Sequence, residues 1–399
     1  MVADRHLGQQ PGAGDIDRRL GPESLLEASP GCEDLDAGTV RWQGDGESTA
    51  ELASGHEDRT GEQGESVRRV CHGANHVKHR RVLSRGSVTR HISQPASAGG
   101  DPKRTGCDPG RSDGRYRAAV FDVYAGAESV EGAGVRLRVA DHGPVDGPPV
   151  LLVHGFPDTA YLWRHQVPAL VDAGHRVIVP DLRGFGGSDK PLDVADYSLR
   201  RHAGDIAAIL KSKGISRARI VGHDWGAALS WYLTIVSPAL VERLVVLSVG
   251  HPSSFASVGV EQRARSWYML LFQFEGIGEQ WLRRDAWKGL AEWSRGHQER
   301  SRWIETLSEP GALEAALNIY RANMPPETWV APAPALPAAP CDVMGVWSTG
   351  DFALLESQMI GSSDYVAGEW RYERIEGASH WIPLDAPDRL NELLIDFLA

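Results

Sequence analysis

Five residues, Gly222-His223-Asp224-Trp225-Gly226, constrain this chain more than any others. An apolar stretch, Ala218-Arg219-Ile220-Val221, runs into them, and a helix-like run from Ala227 to Val236 leaves them. The pattern is a strand, a sharp turn and a helix. Such a turn strains the backbone of its central residue, and a Cβ on either side would crowd it, which accounts for the two glycines. The central residue is Asp224. An ordinary N-cap aspartate after a strand would read similarly, although it would not need both glycines. A serine in this position requires a base, whereas an aspartate is anionic near neutral pH and can attack carbon directly. The product is an alkyl ester. The matching substrate carries an electrophilic sp3 carbon with a leaving group, such as an epoxide or a carbon–halogen bond.

Beyond Tyr116, apolar runs alternate with helix-like segments. Strands are expected at residues 119–123, 135–139, 150–153, 177–179, 219–221, 244–247, 343–347 and 370–375. Helices fit between them, for example at 161–173, 199–213 and 227–236. The first two strands read as a hairpin. The middle strands are nearly continuous apolar runs, as in a parallel sheet buried on both faces. Between residues 247 and 343 the alternation stops. That stretch is rich in Trp and Arg and reads as helices at 261–272, 279–294, 300–307 and 311–323, with a Pro-rich exit from Pro325 to Pro340. It is expected to cover the C-terminal edge of the sheet, where open α/β sheets bind ligands. The expected organisation is therefore a tail over 1–115, an α/β core formed by 116–252 and 338–399, and a helical cap over 253–337.

The tail has a different composition. It is built from Gly, Ser, Asp, Glu, Arg and His without helical or strand periodicity, and an acidic stretch gives way to a basic one. It reads as disordered chain or as translated upstream DNA, and less readily as a basic arm around Lys78-His79-Arg80-Arg81. The whole chain carries a formal net charge of −11 and is 42% hydrophobic, which speaks against nucleic acid as a partner. Three of the four cysteines lie in the tail, without disulfide or zinc spacing. Residues 1–31 lack an apolar signal core, and no stretch approaches membrane-spanning length, so a cytoplasmic location is expected.

Residues 116–399 resemble the α/β-hydrolase fold family, specifically its epoxide hydrolase branch, with the haloalkane dehalogenases as nearest sister group. The resemblance rests on several motifs in the family's order. It implies a mostly parallel eight-stranded sheet with a helical cap inserted after strand 6. It makes Asp224 the nucleophile, and His380, in Gly377-Ala378-Ser379-His380-Trp381, the base. It makes Asp351, reached through Ser348-Thr349-Gly350, the acid that orients the imidazole. Glu356 competes for that role. The alternative position after the preceding strand, Val249-Gly250-His251-Pro252, offers no carboxylate. In His154-Gly155-Phe156-Pro157 the resemblance assigns the Phe156 N–H, with the Trp225 N–H, to a developing oxyanion. His154 and His223 read as structural.

The resemblance also implies two cap tyrosines that protonate the epoxide oxygen: Tyr268, in Ser266-Trp267-Tyr268-Met269, and Tyr320, in Asn318-Ile319-Tyr320-Arg321. A phenol stays protonated at neutral pH yet can protonate an alkoxide. Taken alone, each could be amphipathic packing. A haloalkane dehalogenase would share the nucleophile, base and acid but needs N–H donors for the halide. Trp225 could supply one, and Phe156 cannot replace the usual Asn; Trp267 and Trp287 keep that alternative open. A hydrolase-fold protein that binds without turnover is a third reading. No cofactor or metal is implied. The expected partners are a small apolar epoxide and water, with a homodimer allowed and neither nucleic acid nor membrane involved.

Overall fold

The computed structural model describes residues 121–399, so the expectations for the tail lie outside the described residues. Eight strands form one sheet: β1 (Glu128–Glu131), β2 (Arg136–His142), β3 (Pro149–Val153), β4 (Arg176–Pro180), β5 (Ala218–His223), β6 (Val241–Leu247), β7 (Asp342–Gly350) and β8 (Trp370–Ser379). Their spatial order is β1-β2-β4-β3-β5-β6-β7-β8. β2 is antiparallel to both β1 and β4, and every other pairing is parallel. In β3, Leu151, Leu152 and Val153 are consecutive and all buried. Because successive strand side chains point to opposite faces, both faces of the sheet must be covered.

Helices supply the cover. α1 (Gln166–Asp172) packs against the C-terminal helix (Pro387–Leu398), and α2 (Leu199–Ser212) packs against α3 (Trp225–Val236). The C-terminal helix shows why these segments are helical. Leu390, Leu393, Leu394 and Leu398 recur at helical spacing and are its buried residues, and Pro387 opens it where a missing N–H does no harm.

The first strand differs from expectation. Phe121–Val123 are not in the sheet; Val123 is fully buried and its carbonyl hydrogen-bonds His142 Nε2 at 2.9 Å. Phe121 and Val123 pack on the core outside the ladder. The true edge strand is β1, where only Val130 is buried, so no apolar run announces it.

Between β6 and β7 the chain forms α4 (Pro252–Ser257), α5 (Val260–Arg265), α6 (Trp267–Phe272), α7 (Ile277–Trp293), α8 (Arg300–Leu307) and α9 (Ala312–Asn323). β7 then pairs directly with β6, so the insertion leaves one strand's end and returns to its neighbour's start. The single helix expected over 261–272 is two, broken at Ser266. α7 is kinked across Arg284–Trp287, where Asp285, Ala286 and Trp287 have positive φ. Among the described residues no helix is long and apolar enough to cross a membrane.

Candidate active site

The sheet topology selects the place. β3 pairs with β4 on one side and β5 on the other, with Val153 opposite Gly222. The loops leaving β3 and β5 therefore diverge at a switch point and open a crevice beyond the strand ends. Asp224 sits there with φ 54 and ψ −122, a conformation a non-glycine residue rarely adopts. The neighbouring glycines permit it. A Cβ on Gly222 would strike the Gly226 carbonyl, and one on Gly226 would strike the Val153 carbonyl. Gly155 brings the β3 loop equally close: a Cβ there would lie 2.5 Å from Asp224 Oδ1 and 2.6 Å from the Trp225 nitrogen.

The buried charges are arranged in a line. Phe156 N–H donates to Asp224 Oδ1 at 2.9 Å. Asp224 Oδ2 lies 3.4 Å from His380 Nε2, and His380 Nδ1 lies 2.9 Å from Asp351 Oδ2. Trp225 is the first residue of α3, so its N–H has no acceptor within the helix. Burial alone would lower the His380 pKa, but Asp351 and Asp224 outweigh it and push it up to about 10. Burial likewise raises Asp351, yet His380 and the amides of Leu354 and Ala353 hold it below its ordinary value. Those amides donate to Oδ1 at 2.9 and 2.8 Å, leaving Oδ2 for the imidazole. Glu356, the competing acid, is engaged elsewhere: it accepts from the Tyr372 hydroxyl at 2.7 Å and pairs with Arg374.

Two further histidines hold backbone. His223 Nε2 hydrogen-bonds the His380 carbonyl at 2.9 Å, and the Leu182 N–H donates to His154 Nε2 at 3.0 Å. Burial pulls His223 down to about 4, so it stays neutral beside His380.

The two tyrosines come from separate helices of the insertion between β6 and β7. Tyr268 lies on α6 and Tyr320 on α9, both buried, with ring centroids 6.2 Å apart. Arg321, next to Tyr320, ties α9 to its neighbours through Glu279 Oε1 at 2.6 Å and the Phe272 carbonyl at 3.0 Å. The Tyr320 ring meets Trp225 edge-on at 5.0 Å, and among the described residues its hydroxyl has no partner of hydrogen-bonding geometry. Burial, reinforced by the Asp224 charge, raises both phenols well above their ordinary pKa. Each therefore keeps its proton until a strong base forms beside it.

Two residues at the site were not singled out in the sequence. Asp158, just after Pro157, is buried and accepts from the Trp303 and Trp381 indoles at 2.7 and 3.1 Å. It links the β3 loop, α8 and the residue after His380. Burial pushes its carboxyl up to about 7. Trp293 ends α7 and packs edge-on against Phe156 at 5.2 Å and Tyr268 at 5.6 Å. Neither belongs to a recognisable local motif. The tryptophans weighed as halide donors lie elsewhere: Trp267 is 50% exposed against Trp281, and Trp287 sits in the α7 kink beneath Arg283.

A cavity of about 260 Å³ reaches Asp224 and Trp225. Its lining is mostly apolar, from Val249 and Leu354 of the core to Phe255, Met269, Met324 and Trp329 of the insertion.

This arrangement has counterparts among known proteins. Residues 148–273 match the alpha/beta hydrolase fold family. Epoxide hydrolase A of Mycobacterium tuberculosis is 32% identical to the chain, over 68% of this chain and 96% of that protein. Epoxide hydrolase 2 of Caenorhabditis elegans is 32% identical, over 66% of this chain and 77% of its own length. The crystal structure of epoxide hydrolase A from Mycobacterium thermoresistibile superposes with a TM-score of 0.60 at 29% identity, covering 68% of this chain and 97% of that one.

Proposed function

The chain belongs to the α/β-hydrolase fold family, on its epoxide hydrolase branch, and from that premise we propose that it converts an epoxide and water to a vicinal diol through an ester on Asp224. The observation that carries the reading is the line from Phe156 N–H through Asp224 and His380 to Asp351, together with two buried tyrosines whose protons the Asp224 charge helps to hold. We take residues 253–337 as the cap that supplies those tyrosines.

In the first step an Asp224 oxygen attacks an epoxide carbon and the ring C–O bond breaks. Tyr268 or Tyr320 gives its proton to the departing oxygen, which is far more basic than a phenolate. Asp224 is now a neutral ester, so one of the two charges that hold the proton on His380 is gone. His380 can release that proton to the phenolate and become a neutral base. In the second step it takes a proton from a water that attacks the ester carbonyl. The N–H groups of Phe156 and Trp225 receive the oxyanion. Collapse breaks the ester bond, the acid proton passes to the leaving alkoxide, and the diol departs with Asp224 and charged His380 restored.

The test is to incubate the full chain with styrene oxide and with a bromoalkane, measuring diol and bromide together. Diol is expected from the epoxide. His380→Gln is expected to trap the ester, visible as added substrate mass on the peptide containing Asp224. Bromide without diol would overturn the assignment.

A further inference from the structure

The space around Asp224 is one-sided. Every residue lining the cavity beyond Asp224 and Trp225 comes from the start of α2, from α3, from the loops after β6 and β7, from α4–α6, or from the end of α9 and the segment after it. None comes from α7, from α8 or from the loop after β3. The side those elements face is filled with rings. Phe156, Phe272 and Tyr320 are fully buried, with Phe156 5.4 Å and Phe272 5.1 Å from Tyr320. Trp293 closes this wall. Its ring also packs edge-on against Phe352 at 5.9 Å and Trp381 at 5.8 Å.

The open side is lined mostly by apolar residues, and its two side-chain amides are already engaged. Gln262, which lines it, spends its amide on Ser266 Oγ, the Ala353 carbonyl and the Leu355 N–H. Asn323 spends its own on the Leu199 N–H and on the Tyr197 and Ile319 carbonyls. A polar substituent placed against those two amides would find them taken and would lose its water there without replacement.

We infer that the substrate is a terminal epoxide carrying a single compact apolar group, with Trp293 as the residue that excludes a second substituent across the ring. This rests on the epoxide reading above and narrows it. A trans-1,2-disubstituted epoxide places its two groups on opposite sides of the ring. One would enter the cavity while the other would have to displace buried aromatic atoms, and a close-packed interior resists that.

The experiment compares diol formation from styrene oxide and trans-stilbene oxide by the full chain. The expected kcat/KM ratio is at least tenfold in favour of styrene oxide, and a smaller ratio overturns the inference. Because the two epoxides also differ in intrinsic reactivity, the second measurement is the same ratio in Trp293→Ala. Among the described residues the Trp293 indole N–H has no hydrogen-bond partner, so truncation orphans no polar group there. Opening the wall should reduce the ratio at least tenfold, and a ratio that moves less overturns the role given to Trp293. Should Trp293→Ala not fold, Trp293→Leu is read by the same criterion. No diol from either epoxide would instead sink the hydrolase reading, and this inference with it.

Discussion

Replacing Asp224 by Asn imitates in one respect what the proposed first step does: it removes the negative charge beside His380 while keeping the shape. The magnitude follows from the geometry. Two unit charges 3.4 Å apart attract by about 5 kcal/mol at an effective dielectric of about 20, a ceiling of about 3.6 pKa units. Neighbouring opposite charges in proteins shift a pKa by about 1–3 units. His380, held up to about 10 by burial's losing contest with Asp351 and Asp224, should therefore fall by about 1–3 units in Asp224→Asn. The assay is an NMR titration of the His380 imidazole nitrogens in both proteins. Stability should follow. A folded pKa above the ordinary 6.5 gives stabilisation that is complete below pH 6.5 and disappears as pH rises through about 10. In the variant that loss should finish about 1–3 pH units earlier, seen as an earlier fall of Tm with pH. A His380 midpoint that stays in place in Asp224→Asn would refute the idea that esterification frees the base.

Two further outcomes are expected. Tyr320→Phe and Tyr268→Phe should each lower kcat/KM by about 10–100-fold, since one proton donor remains, and the double variant by about 10²–10⁴-fold. Tyr320→Phe should leave Tm nearly unchanged because its hydroxyl has no hydrogen-bond partner among the described residues; a double variant within threefold of the parent would remove the tyrosines from the chemistry. Asp158 is raised by burial from 3.8 to about 7, so the folded state binds its proton more tightly than the unfolded chain. Its contribution therefore weakens as pH rises from about 4 through about 7 and is level above that. Asp158→Asn should abolish this slope and lower Tm by leaving one indole N–H without an acceptor, at about 1–3 kcal/mol. Equal slopes in Tm against pH over that range would show that the carboxyl does not titrate there.

What could be read from the sequence divides by how local its cause is. The strands buried on both faces, such as Leu151 to Val153, must be apolar at every position, so they stand out as runs. β1 needs only Val130 inside and exposes Glu128, Ser129 and Glu131, so it resembles a loop, while Phe121 and Val123 resemble part of a strand because they are apolar for a different reason. The turn around Asp224 was legible because its glycines answer to contacts within a few residues and with the adjacent strand. His380 and Asp351 could be located by their positions after strands, an order that the fold imposes.

Asp158 and Trp293 had no such signal, because what defines them is a meeting of distant segments. Asp158 is ordinary in sequence until Trp303 and Trp381 arrive from α8 and from beyond β8. Trp293 is one of 13 tryptophans, and only packing distinguishes it from the half-exposed Trp267. The same distinction separates reaction from substrate. The proposed chemistry depends on groups at strand ends and on two tyrosines of the insertion, and those are spelled out locally. Selectivity depends on which side of Asp224 the cap leaves empty, a property of how α7 and its Trp293 settle against Phe156 and Phe352. A substitution on α7 can therefore change what is hydrolysed while leaving every group of the proposed reaction in place.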